Sequence, residues 1–499
     1  MGLIIRQSIK ASLSNYAGLI IGYINILILM PKVFQPSEVG ISRFIIDISS
    51  VLAGFASLGL AYSMSRFFPK FRDKHSPYHN GFTFWVYCIP IIGLFLLATV
   101  LLICGPSLLN LLKDGGSNTV NYLHIIIPLS IIMVYTLVTE QYCAQFGRIV
   151  VVNIVRENGL RLINLILIIL AWNNVINFNE FIVWLLVSYS IVLAIDVVYL
   201  FSLNPLSLIP DFNFIKENKT VRNDFFGFTG VILFGSIGPL IVTRSDYFSV
   251  SMLGGDTLLG IYSTAMSIAI MVELPKRVIL PIIQPVISRL IHEQKWGELK
   301  EIVGKGNINQ VLLGMFILFG LWFNVDSIFA LMPNGEVYKE GKLVILIVGI
   351  GKLIELFSIL PGVVINNSHF YRWNIVIAFT ALFTIFLTYH FAVPIWAING
   401  TALGVAMGYM AVAFFNYSLV YTYYKLNWLS FDWIKISFVF VALLLANYFL
   451  PHFSNIWLNI FVRSGGLLAT FAVLVFGLRI SKDLNTTAHQ LLKGTFRWF

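Results

Sequence analysis

The chain has 499 residues, of which 58% are hydrophobic and only 11% charged, and its formal net charge is +10. An ordinary soluble domain carries roughly 25% charged residues, so a water-soluble fold could not cover itself with so few. The basic excess sits in no basic domain and on no platform of aromatic and basic residues, which argues against a nucleic-acid binder.

In chain order, the first apolar stretch, Leu13 to Val33, is long enough to span a bilayer and lacks a small-residue cleavage pattern. It reads as a first transmembrane helix. Polar breaks then delimit spans at 42–65, 81–105, 120–143, 149–171, 179–203, 224–249 and 257–287. Six more are predicted at 307–331, 341–365, 372–392, 397–424, 432–450 and 456–478. These must be helices, because lipid offers no partners to backbone groups and the runs lack the alternation of barrel strands. The fold class expected is therefore all-α and integral to the membrane, with about 14 transmembrane helices. Connecting loops are short, the longest predicted around 204–223 and 288–306.

Cys88, Cys104 and Cys143 lie singly in or beside apolar segments, without metal-site or disulfide spacing, and read as small buried hydrophobes. Lys and Arg in loops and at span edges sort strongly to one side. That side holds Arg6, Lys10, Arg66, Arg148, Arg289 and Arg372, among others, whereas the opposite side has only Lys32, Arg43, Lys113, Lys339, Lys342 and Arg463. A miscounted helix would scramble this bias, so it supports an even count with both termini cytoplasmic.

The two halves of the chain resemble each other. Pro36-Ser37-Glu38-Val39-Gly40-Ile41-Ser42 after the first span aligns with Asp256-Thr257-Leu258-Leu259-Gly260-Ile261-Tyr262 after the seventh. Ser65-Arg66 aligns with Ser288-Arg289, and Phe146-Gly147-Arg148 with Phe370-Tyr371-Arg372. The offsets from Gly40 to Gly260, Arg66 to Arg289 and Arg148 to Arg372 are 220, 223 and 224 residues. Six helices per repeat is even, so the halves enter the membrane in the same direction. Parallel repeats of this kind recur in secondary transporters that rock about a site between the lobes. The expected division is a six-helix lobe at 1–205, a second at 206–428, and two additional helices with a cytoplasmic tail at 429–499.

With the Gly260-Ile261-Tyr262-Ser263 turn, Ser288-Arg289 and the passage Arg244-Ser245-Asp246 to Gly254, this plan resembles the multidrug/oligosaccharidyl-lipid/polysaccharide (MOP) exporter superfamily. Within it, the likeness is to the bacterial O-antigen and polysaccharide flippases. The resemblance implies a basic cavity, a lipid-linked oligosaccharide as cargo, the bacterial cytoplasmic (inner) membrane as location and polysaccharide polymerase machinery as a partner. One departure is that the first helix has no charge between Lys10 and Lys32, where related lipid II flippases carry basic residues, which weakens lipid II itself as cargo.

Charges inside spans are costly, so by default they face protein, water or ligand. The basic ones are Arg156, Arg161, Arg244, Lys276, Arg277 and Lys352, the candidates for a substrate-binding lumen, with Arg156, Arg161 and Lys352 the most central. Asn153, Glu157, Arg161 and Asn164 share one face of the fifth helix, and Gly349, Lys352, Glu355 and Gly362 form a similar stripe on the tenth. Acids inside spans are Asp47, Glu140, Glu157, Asp196, Asp246, Glu273 and Glu355. Sequence proximity pairs Glu157 with Arg161, Asp246 with Arg244, Glu273 with Lys276 or Arg277, and Glu355 with Lys352. The competing reading of each pair is a salt bridge that merely holds helices together. Pro275, Pro281 and Pro285 favour a bend in the eighth span. Trp184 reads as core packing, and His390 as interfacial.

The sign of the lumen separates the functions. Cationic drugs need unpaired carboxylates, whereas a pyrophosphate head group needs Arg and Lys. The expected function is a flippase that moves an undecaprenyl-pyrophosphate-linked oligosaccharide across the membrane by alternating access. No phosphate-binding loop of an ATPase occurs, so H+ or Na+ would drive it, with Asp47, Glu157 and Glu355 as coupling candidates. No cofactor, metal or catalytic residue is expected. A multidrug exporter of the same superfamily is the alternative. A polytopic O-antigen polymerase or glycosyltransferase is a further one, disfavoured by the short outer loops.

Overall fold

The computed structural model describes residues 18–60, 63–64, 67–68, 82–114, 118–146, 148–203, 209, 223–227, 229–230, 244–425, 430–481 and 485. Arg6, Lys10, Arg66 and Gly147 of the sequence motifs lie outside the described residues, as does most of the seventh span. The described chain is all-helical, and ten of its helical stretches are long and apolar enough to cross a membrane. It falls into two compact units, Met1–Ser263 and Thr264–Phe499.

In the first unit, α1 (Gly18–Val33) contains a π-helical turn at Asn25–Leu29. The next helix, α2 (Pro36–Ala56), starts where its sequence dictates. Pro36 fits the first turn, and Glu38 reaches back 2.9 Å to the amide of Gln35 to close a capping box. It stops at a turn through Leu58 and Gly59, both with positive φ, inside what reads in sequence as one span to residue 65. There follow α3 (Phe82–Asp114), α4 (Leu123–Gln145) and α5, which runs through Ile149–Ile154, a π-helical turn at Val155–Gly159, and Leu160–Trp172. After α6 (Phe178–Leu203) comes α7 (Ser245–Ala269), broken at Gly254 and Gly255. That break separates the end of the seventh predicted span from the start of the eighth.

An edge-to-face cluster of Phe67, Phe68, Phe82, Tyr142 and Phe225 fills part of this unit's core, and Tyr142 is fixed by a 2.7 Å hydrogen bond with Thr83. Trp184, by contrast, is half exposed rather than packed inside. Exposed apolar side chains are what a lipid-facing surface requires.

The second unit carries α8 (Leu274–His292), α9 (Trp296–Phe323), α10 (Lys342–Asn366), α11 (Trp373–Tyr424), α12 (Asp432–Phe449) and α13 (Ile456–Gly477). The loop expected at 288–306 is only Glu293–Lys295, because α8 and α9 continue as helix on either side. A 3-10 turn at Ile270–Glu273 precedes Pro275, and α8 stays helical through Pro281 and Pro285. The helix α11 folds back on itself at Ala397, where φ is 44°. Gly400, Gly404 and Gly408 then face Ala392, Tyr389 and Ile385, so its two arms lie close together as the eleventh and twelfth spans. Leu312, Leu318, Phe319, Leu356, Val439 and Leu443 join α9 and α10 to α12, while Leu467 and Val475 bring α13 into the same core.

Arg463, which reads in sequence as a charge at a loop edge, is buried within α13. It donates to the carbonyls of Phe323 at 2.6 Å and Leu450 at 3.4 Å, and to the Asn447 side chain. Helix ends leave carbonyls unpaired and carry partial negative charge, so a guanidinium is matched to the ends of α9 and α12.

Candidate functional site

Among the described residues, three charged clusters occur inside the two units. Two belong to the first. At the beginning of α7, Arg244 Nη1 lies 2.5 Å from Asp47 Oδ1 of α2, rather than pairing with its neighbour Asp246. Asp246 is fully buried and its Oδ2 accepts a 2.8 Å hydrogen bond from Tyr262. The sequence expectation for this pair is thus corrected. Two residues apart on a helix, side chains diverge by about 200° and cannot face each other.

The second cluster joins α4, α5 and α6. Arg156 pairs with Glu140 of α4 and lies 3.5 Å from Glu157, and Arg161 Nη2 lies 2.6 Å from Glu157 Oε2. Asp196 of α6 is completely buried within electrostatic reach of Arg156 and Glu140. The π-helical turns of α1 and α5 adjoin here, because Asn25 Nδ2 donates 2.9 Å to the carbonyl of Arg161. A Cβ on Gly22 would meet Arg161 Nε at 3.0 Å, so glycine on α1 makes room for the guanidinium. Such π turns are frequent at functional positions of helices.

The third cluster lies wholly in the second unit. Lys352 Nζ donates to Glu273 Oε2 and Glu355 Oε2, both at 2.9 Å, and to the hydroxyl of Tyr409 at 2.8 Å. Lys276 Nζ lies 2.5 Å from Glu355 Oε1, and Arg277 lies 3.1 Å from Glu273. Three cations therefore meet two carboxylates. Lys352 is the buried centre, with its side chain 7% exposed, while the Arg277 side chain is 44% exposed and can reach a ligand.

The structure thus gathers the six basic candidates into three clusters, Arg244 in one, Arg156 and Arg161 in another, and Lys276, Arg277 and Lys352 in the last. All six have carboxylate partners, and the acids Asp47, Glu157 and Glu355 in turn have basic ones. The pairs between Glu157 and Arg161 and between Glu355 and Lys352 were legible from helical spacing. Sequence proximity missed the partners on other helices, namely Glu140 for Arg156, Asp47 for Arg244, Glu355 for Lys276 and Glu273 for Lys352. It also missed Tyr409, whose only local signal is a polar group in an apolar span.

The molecule is thus a multi-pass helical membrane protein that gathers three to five charged groups in each cluster inside its apolar units. Its fold matches that of the lipid II flippase MurJ in an inward closed conformation, with a TM-score of 0.71, 13% identity and coverage of 94% of this chain and 99% of that one. An inward-facing multidrug resistance MATE family transporter of the MOP superfamily matches at 0.58, with 12% identity over 82% and 92% of the two chains. The family model described as polysaccharide biosynthesis protein matches residues 4–291, and the chain belongs to that family. The capsular polysaccharide biosynthesis protein CapF of Staphylococcus aureus is 24% identical over 210 residues, 42% of this chain and about half, 52%, of that protein. The chain is accordingly a member of the polysaccharide biosynthesis protein family with the fold shared by MurJ and the MATE family transporter.

Proposed function

We propose that the chain moves an undecaprenyl-pyrophosphate-linked oligosaccharide across the bacterial cytoplasmic membrane, by alternating access and with both termini cytoplasmic, for O-antigen, capsule or exopolysaccharide assembly. The observation that carries this reading is the excess of cations in the cluster of Lys276, Arg277 and Lys352 over Glu273 and Glu355. Lys352 bridges the two carboxylates and Lys276 holds Glu355, which leaves the accessible Arg277, bonded to Glu273 through one nitrogen, to meet an anion. A guanidinium binds phosphate oxygens through two parallel hydrogen bonds, which a cationic drug cannot exploit. Supporting it are membership of the polysaccharide biosynthesis protein family and the likeness to the capsular polysaccharide biosynthesis protein CapF and to the fold of the lipid II flippase MurJ.

The test is translocation of a fluorescent lipid-linked oligosaccharide in proteoliposomes, with and without an imposed ion gradient, beside efflux of a cationic dye. Movement of the sugar lipid that falls at least tenfold in Arg277→Gln is the expected result. Dye efflux without sugar-lipid movement would reassign the chain to multidrug export.

A further inference from the structure

The five ionisable groups gathered by α4, α5 and α6 do not balance. Arg156 and Arg161 bring two positive charges against three negative ones on Glu140, Glu157 and Asp196. Both arginines are drawn to Glu157, and Arg156 also holds one oxygen of Glu140. What is left over is Glu140 Oε1 and both oxygens of Asp196. These three buried atoms have no hydrogen-bond partner among the described residues.

The donors that face the pair are committed elsewhere. On α4, the Thr139 hydroxyl donates 2.7 Å to the Tyr135 carbonyl, Tyr142 is held by Thr83, and only the weak donor Cys143 lies within electrostatic reach of both acids. On α5, Arg156 is bonded to Glu140 and Glu157, and Arg161 to Glu157. A buried ionised carboxylate without a donor is among the most costly arrangements in a protein, more so at membrane depth. One added proton brings the five groups to formal neutrality.

We propose that Glu140 and Asp196 hold one exchangeable proton between them and form a proton-binding site within the first unit. A metal ion is disfavoured by the Arg156 guanidinium on Glu140, which would repel it, and by the small number of bare oxygens, since hard cations take about six to eight oxygen ligands. The Arg156 side chain, 40% exposed, carries its pair with Glu140 towards the accessible surface. That this proton drives transport rests on the function proposed above; that the pair binds it does not.

The experiment is a pH titration of the full-length protein in a maltoside detergent, which has no carbonyl group of its own, followed by infrared difference spectroscopy of protonated carboxyl groups. The wild type should show a titrating band that is lost in Asp196→Asn and displaced in Glu140→Gln, and Asp196→Asn should take up about one proton fewer per chain. Asparagine copies the shape of the neutral acid, so the variant is expected to keep the wild-type melting temperature or exceed it. Should it not fold, Asp196→Glu is read instead, with the band kept at a displaced frequency. A band unchanged in both variants overturns the proposal. So does bleaching of the band by sodium at fixed pH, which would make the ligand a metal ion. No substrate is needed, so a chain that binds the proton yet moves no sugar lipid overturns the transport reading alone.

Discussion

Gly40 of α2 and Gly260 of α7 meet backbone to backbone. A Cβ on Gly40 would lie 2.6 Å from the Gly260 amide nitrogen, and one on Gly260 would overlap the Pro36 carbonyl. These are the two glycines, 220 residues apart in sequence, that occupy the same place in the paired repeat motifs. Each is conserved in type between the halves because the other occupies the space where its side chain would be. Close backbone approach through small residues is how helices associate in lipid, where no hydrophobic force separates helix from tail.

Gly260→Val should therefore push the two helices apart. Overpacking of this sort typically costs about 1–3 kcal/mol. We expect a lower melting temperature for the purified protein and less of it in the membrane. Gly465→Ala is the control, since nothing lies within 4 Å of the added Cβ in α13 and alanine favours helix. Equal melting of Gly260→Val and wild type would show that the contact can be opened at no cost.

Lys352→Met removes the ammonium that satisfies Glu273, Glu355 and Tyr409 together. Glu273 then keeps only the part-exposed Arg277, and breaking a buried pair costs up to about 3–5 kcal/mol. The double variant Lys352→Met with Glu273→Gln removes one stranded charge and should regain part of the loss, because Lys276 still neutralises Glu355. Thermal unfolding of the three proteins in one detergent reads both effects, and a double variant no better than the single would break the argument.

How much of this could be read in sequence follows from the distance over which each interaction acts. Continuous apolar runs set the helices, because lipid leaves the backbone no other way to bond. The repeat located Gly40 and Gly260, and placed Arg148 and Arg372 alike; each proves to be the residue just before a helix, α5 and α11. Helical spacing predicted the pair of Glu157 and Arg161. It could not predict Arg244 with Asp47, or Lys352 with Glu273, because those partners come from other helices. The stripe on α5 was drawn with regular geometry, whereas a π-helical turn at Val155–Gly159 shifts its register. Arg463 looked like a loop charge because nothing local shows that the carbonyl ends of α9 and α12 converge on it.

Arg463→Met should loosen the two C-terminal helices from α9. Among the described residues no carboxylate lies in ion-pair contact with Arg463, so its role is to bond carbonyls and the Asn447 side chain. Hydrogen bonds to charged groups contribute about 1.5–3 kcal/mol each, and a shape-similar apolar side chain supplies none of them. We expect faster proteolysis between α12 and α13 and a lower melting temperature. Wild-type protease resistance would show that packing alone holds the pair.

Arg161 is the residue on which the first unit's part in transport is most directly tested. Its guanidinium holds Glu157 at 2.6 Å, its carbonyl is bonded by Asn25, and Gly22 of α1 leaves space for it. The side chain is 22% exposed, so the protein can lose its charge without stranding a fully buried partner, and Glu157 keeps Arg156 nearby. Arg161→Ala should accordingly insert and accumulate as the wild type does while failing to restore polysaccharide export in a strain lacking this protein. Truncating one member of a hydrogen-bonded charge pair costs about 2–5 kcal/mol in binding, which corresponds to a fall of roughly thirtyfold or more in the export rate if the arginine meets the head group. Arg161→Lys keeps the charge but loses the planar fork, and its export should lie between the two. Wild-type export by Arg161→Ala, at equal protein levels, would remove this residue from the site and leave the cation excess of the second unit to bind the anion alone.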